Sequence, residues 1–105
     1  MNKSIPDKST GNLNTPIGRL RRAIDEIDQK IMELINQRLS LAKQIGDFKK
    51  QGGIEITDPD REREIVDRLL EKNNGPVSDK GLRNIFGAIM TEGRNVQGPD
   101  DPEKG

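Results

Sequence analysis

Residues 17–50 read IGRLRRAIDEIDQKIMELINQRLSLAKQIGDFKK, and their spacing decides the fold. Ile17, Leu20, Ile24, Ile27, Ile31 and Leu34 recur in alternating steps of three and four, and Leu41, Ile45 and Phe48 resume the series. Residues three and four apart share one side of an α-helix, so the series draws a single apolar stripe. The slot between Leu34 and Leu41 holds Arg38 where another Leu or Ile belongs. A buried guanidinium costs several kcal/mol unless it meets a counter-charge, so this position needs a reason.

Outward from the stripe, the boundaries are well marked. Thr15 is a candidate N-cap and Pro16 suits the first helical position, where its missing N–H is no loss. The helix should run to about Lys50 and stop at Gly52-Gly53. Some 35 residues of helix would span roughly 50 Å, long for a small domain and in need of a partner along much of its length. A second helix should begin at Asp58-Pro59, carry Ile65, Val66, Leu69 and Leu70, and end at Asn73-Asn74-Gly75-Pro76. Ser78 can cap a third, with Leu82, Ile85, Phe86, Ile89 and Met90 on its apolar face, reaching about Gln97. Gly81, Gly87 and Gly93 lie inside it; each costs about 1 kcal/mol relative to Ala, which suggests close backbone approach. No strand signal is present. The class is all-α, one long helix plus two shorter ones, over residues 15–97, between polar, aperiodic tails at 1–14 and 98–105 that read as flexible.

Composition removes many functions. The chain has 105 residues, 30% apolar and 34% charged, with Lys plus Arg equal to Asp plus Glu at 18 each. A core drawn from so few apolar residues would be thin, so a second chain is expected to help bury the stripe. No basic excess or aromatic interleaving invites nucleic acid. There is no Cys and no His. That excludes disulfides, thiolate chemistry, Ser-His-Asp triads and histidine general bases, and leaves zinc only carboxylate ligands. No apolar run approaches the roughly 20 residues of a membrane span, and the N-terminus is not a signal peptide. A soluble, cytoplasmic protein is expected.

Arg38 has two readings. A polar residue in a helical stripe can be a register device in a coiled coil. Lys49, however, lies eleven residues on, about three turns, and projects from nearly the same angle. Two cations on one stripe suggest a site for an anion. In TDPDREREIVDR (57–68), pairs such as Glu64 with Arg68 and Arg63 with Asp67 fit a solvated helix start. Glu62 differs: it precedes Ile65 and Leu69 by three and seven, so it lies on the apolar side, with Arg61 adjacent and Asp58 one turn earlier. Gln97 falls on the inner side of the third helix, although a surface glutamine is the ordinary reading. Arg21 is seventeen residues before Arg38, about 25 Å along a helix axis. It could reach an Arg38 site only on a second, antiparallel copy; otherwise it is an ordinary exposed arginine.

The series LRRAIDEIDQKIMELINQR, then AKQIGDFK, then DPDRE at the start of the second helix resembles the all-helical class of chorismate mutase, over about residues 17–97. The resemblance implies an intertwined homodimer with two active sites, each mostly from one chain, with Arg21 contributed by the other. It implies conversion of chorismate to prephenate, the branch toward phenylalanine and tyrosine, with no cofactor. Arg21, Arg38, Lys49 and Arg61 would hold or compensate the two substrate carboxylates. Lys49 and Gln97 would donate to the ether oxygen, and Asp58 and Glu62 would hold the ring hydroxyl region. A unimolecular Claisen rearrangement needs no nucleophile and no general base, which suits a chain without His or Cys. One departure is Gly93, where a side chain such as Ser can line the site; here only backbone is offered. Some relatives carry Glu at the position of Gln97, which must be protonated to donate; an amide need not be.

Two rivals bear on this reading. An isochorismate-pyruvate lyase is similar in fold and cations, but such relatives lack the acidic pair represented here by Asp58 and Glu62. A helical interaction module would explain the stripe, but not Arg38, Lys49, Glu62 and Gln97 together.

Overall fold

The computed structural model describes residues 14–98. Within them lie three α-helices and no strand: α1 (Pro16–Gly52), α2 (Pro59–Lys72) and α3 (Asp79–Gln97). The all-α class and the order of one long and two shorter helices are as expected. Apart from Asn14 and Gly98, the expected tails fall outside the described residues.

Each helix begins on the residue its sequence offers. Thr15 Oγ1 accepts from the Gly18 N–H at 2.9 Å, Asp58 Oδ1 from the Arg61 N–H at 3.1 Å, and Ser78 Oγ from the Gly81 N–H at 2.9 Å. These caps satisfy donors that have no partner within the first turn, each stabilising by about 1 kcal/mol. At the end of α1, the Ile54 N–H donates to the Lys49 carbonyl at 2.8 Å and the Gly53 N–H to the Lys50 carbonyl at 3.3 Å. Gly53 takes φ 67°, the left-handed conformation this Schellman stop requires. After α2, Asn73 organises the turn: its Nδ2 donates to the Val77 carbonyl and its Oδ1 accepts from the Gly75 N–H, both at 2.9 Å.

The chain divides between Asn36 and Gln37 into two compact units. In the first, Ile17, Leu20, Ile24, Ile27, Ile31 and Leu34 all stand exposed, from 48% at Ile31 to 65% at Leu20. Its polar side carries weak i,i+4 contacts, Arg22 Nε to Glu26 Oε2 at 3.7 Å and Gln29 Nε2 to Glu33 Oε2 at 3.2 Å. In the second unit α2 and α3 pack on one another. The buried apolar side chains are Ala42, Ile56 and Met90, while Leu41, Ile45 and Phe48 remain exposed. The core of a single copy is therefore as thin as the composition implies. Among the described residues no helix is long and apolar enough to cross a membrane.

The glycines of α3 behave differently from one another. At Gly93 a Cβ would meet Arg38 Nη1 at 3.6 Å and Ala42 Cβ at 3.9 Å, an ordinary contact across helices. Gly81 has only its own cap region beside it, and Gly87 has nothing within 4 Å. The tight approach is at Gly46 of α1, where a Cβ would lie 2.8 Å from Cβ and Cγ of Gln97 and 3.0 Å from its Cα. Only a residue without a side chain lets α1 and the end of α3 meet there. Gly46→Ala should therefore destabilise the protein by about 1–3 kcal/mol. Gly87→Ala should stabilise it by up to about 1 kcal/mol through helix propensity alone. Urea denaturation of both variants at one protein concentration checks the opposite signs.

Candidate active site

A cavity of about 260 Å³ opens in the second unit. That is slightly below the usual range for small-molecule sites, so it suits a compact ligand. Its floor is apolar, with Leu41, Ala42, Ile45, Ile56, Ile65 and Met90. Its polar groups come from every element of the unit: Arg38 and Lys49 from α1, Asp58 from the connecting loop, Arg61 and Glu62 from α2, and Arg94 and Gln97 from α3. Gly93 also lines it. Seven positions singled out in the sequence thus share one cavity. Arg21 belongs to the first unit and is not among the lining residues.

The helical repeat explains the first pair. Arg38 and Lys49 stand about three turns apart on α1, and both are half-buried. Lys49 Nζ donates to the Ile56 carbonyl at 2.8 Å, across the loop that its own carbonyl helps to close. Arg38 is different. No ion pair or hydrogen bond engages its guanidinium among the described residues, and Gly93 lets the backbone of α3 come up beside it.

On α2, Asp58 uses Oδ1 for the helix cap. Arg61 lines the cavity while its Nη1 donates to Glu64 Oε1 at 2.7 Å. Both of those side chains are more than half exposed, so the pair is worth little and is readily exchanged. Arg68 also reaches Glu64, at 3.7 Å, as its i,i+4 spacing suggests. Arg63 instead pairs with Asp60 at 3.0 Å, not with Asp67. Glu62 points inward and forms an ion pair with Arg94.

Arg94 is the polar lining residue that sequence reading missed. A faint signal exists: it precedes Gln97 by three, so the two share a face of α3. Gln97 itself is held against Gly46, and its Oε1 is buried without a hydrogen-bond partner. An orphaned buried acceptor costs about 1–3 kcal/mol, the kind of local penalty expected where a polar group is reserved for a ligand. In the cavity four cations (Arg38, Lys49, Arg61, Arg94) face two carboxylates (Asp58, Glu62), a net charge of +2. The site is chemically fitted to a small dianion that also carries a group needing a hydrogen-bond acceptor.

The family model described as chorismate mutase type II matches residues 20–98. The chorismate mutase of Methanocaldococcus jannaschii is 51% identical over 83 residues, 77% of this chain and 83% of that protein. A bifunctional chorismate mutase/prephenate dehydratase of Aquifex aeolicus is 46% identical over 76 residues, 69% of this chain and 21% of the relative. The corresponding bifunctional protein of Neisseria gonorrhoeae is 35% identical over 79 residues, 75% of this chain and 21% of the relative. The chain thus spans about a fifth of these bifunctional relatives and most of the single-function one. The matched segment takes in every polar residue of the cavity, and the chain belongs to the chorismate mutase type II family.

Proposed function

We propose that this cavity, completed by Arg21 of a second copy, rearranges chorismate to prephenate by holding the substrate in a reactive shape, without any covalent intermediate. The functional domain runs from residue 15 to 97, and the enzyme works in the cytoplasm, in the biosynthesis of phenylalanine and tyrosine. The observation that carries this reading is Arg38: a half-buried guanidinium in a cavity of net charge +2, with no anionic partner among the described residues.

The rearrangement breaks an ether C–O bond and forms a C–C bond within one molecule. The enolpyruvyl arm must fold back over the ring, and negative charge develops on the ether oxygen. Holding a near-attack conformer removes much of the entropic part of the barrier, and preorganised donors stabilise the developing charge. Arg38, Arg61 and the partner's Arg21 hold or compensate the two carboxylates. Arg61 leaves only a surface pair with Glu64 to do so. Lys49 has one N–H on the Ile56 carbonyl, which leaves donors for a carboxylate and the ether oxygen. The Gln97 amide donates to the same oxygen. Asp58 and Glu62 face the ring hydroxyl, Glu62 accepting its hydrogen bond. The exposed stripe of Ile17, Leu20, Ile24, Ile27, Ile31 and Leu34 supports the second copy, since apolar surface of that extent rarely stays in water.

The direct test is ultraviolet monitoring of chorismate loss by the purified protein, with prephenate identified as product. Arg38→Leu completes the apolar stripe, so stability should hold or rise while kcat/KM falls by roughly a hundredfold or more; an unchanged kcat/KM would remove Arg38 from the site.

Gln97→Glu separates amide from carboxyl. A carboxyl donates only while protonated, so activity of this variant should fall as pH rises through its pKa, whereas the parent profile stays flat there. An unchanged pH–rate profile would remove Gln97 from the ether oxygen.

Sharing of the site between copies has its own test. Arg21→Ala and Lys49→Ala homodimers should each be nearly inactive. Refolded together in equal amounts they should recover about a quarter of parental activity, because half the dimers then contain one intact site. No recovery would rule out a site built from two chains.

A further inference from the structure

Arg94 is the cavity residue to which the proposed reaction gives no task. Its Nη1 donates to Oε2 of Glu62, thirty-two residues away in sequence, and the two side chains are only 34% and 27% exposed. The other arm of the guanidinium is also occupied: Nη2 donates to Thr91 Oγ1 at 3.0 Å. The Thr91 hydroxyl in turn donates to the Gly87 carbonyl at 3.0 Å. The fork is therefore fixed at one end by a hydroxyl tied to the α3 backbone and closes at the other on the carboxylate. Arg61 and Glu64 form a different kind of pair, within one helix and largely in water.

We propose that Arg94 is a positioning residue, which grips one oxygen of Glu62 so that the other, Oε1, is presented to the hydroxyl of the bound substrate. The proposal rests on the reading of Glu62 as the acceptor for that hydroxyl. Oε1 takes no hydrogen bond from the described residues, whereas Oε2 is committed to Arg94. A glutamate has three rotatable bonds, and a single charge-assisted anchor removes most of that freedom. Arg94 also offsets a carboxylate that would otherwise repel a dianionic ligand across a cavity of about 260 Å³. The hydroxyl contact exists before and during the reaction, so its loss weakens binding of both states alike. Such a loss raises KM and leaves kcat nearly unchanged. A merely structural role would lower kcat through a smaller active fraction at unchanged KM.

The test is a kinetic cycle on the full chain, with kcat and KM for chorismate measured for Arg94→Met, Arg94→Lys, Glu62→Gln and the Arg94→Met/Glu62→Gln double variant. Arg94→Met should raise KM by roughly tenfold with kcat within about threefold. Arg94→Lys, which restores the cation without the fork, should fall between it and the parent. In the Glu62→Gln background Arg94→Met should add less than about twofold, because the carboxylate charge that Arg94 grips is already gone. An undiminished effect in that background would mean that Arg94 touches substrate itself and would overturn the proposal, as would a silent Arg94→Met beside an impaired Glu62→Gln. Unchanged constants for Glu62→Gln would overturn the hydroxyl role of Glu62, and this inference with it. Should Arg94→Met fail to fold by circular dichroism, Arg94→Gln takes its place in the same cycle, since it keeps a donor but no charge.

Discussion

A guanidinium half withdrawn from water, with no ion-pair partner among the described residues, sets the terms for the second unit. Arg38 interrupts an apolar stripe in which Leu or Ile would pack better, and its neighbours are arranged around it without neutralising it. Gly93 gives it room. Lys49, Arg61 and Arg94 each have a protein partner, a carbonyl or a carboxylate, whereas Arg38 has none among the described residues. Natural proteins tolerate such losses of stability where function needs a destabilised group. The unpaired Oε1 of Gln97 is a second instance in the same cavity. Under the proposed function a carboxylate of the ligand would relieve Arg38 on binding, whereas an ether oxygen, having no proton to donate, would engage the Gln97 amide nitrogen and leave its Oε1 as it is.

The other constraint is a shortage of interior. Among the described residues Ala42, Ile56 and Met90 are the buried apolar side chains, while the Ile, Leu and Phe residues that define the α1 stripe are exposed. Each such side chain stabilises by about 1.5–3 kcal/mol when fully buried. Association of two copies through this stripe would therefore be part of folding, and measured stability would depend on protein concentration. Under the proposed function the same association would also bring Arg21 of a second copy to the cavity.

The helices and much of the site were legible because their signals are local or periodic. Thr15, Asp58 and Ser78 cap the helices they precede, since a side-chain oxygen there needs only the next turn's amides. Arg38, Lys49 and Glu62 could be singled out because a polar residue at an apolar helical phase stands out against its neighbours, whereas Gln97 reads alone as an ordinary surface glutamine and gains a role only through the family resemblance. Arg94 could not, because its meaning lies in Glu62, thirty-two residues away on another helix. Arg63 chose Asp60 over Asp67, a difference of rotamer between two equally plausible neighbours on one helix. Gly46 was hidden for a similar reason. A glycine in a long helix has no local mark that tells a packing contact from a tolerated weakness, and the contact with Gln97 exists only in the folded arrangement. Gly87 is the reverse, an interior glycine with open space beside it despite its cost to the helix.

The bond from Lys49 to the Ile56 carbonyl has a further effect. A free lysine side chain samples many rotamers, and freezing it costs up to about 2 kcal/mol. Here that entropy is lost when the loop closes, before any anion arrives. The ammonium is held like a tripod with one leg already planted and two protons left to give. Under the proposed function an incoming diacid would meet a donor already ordered, and truncating Lys49 would slacken the loop as well as delete a charge.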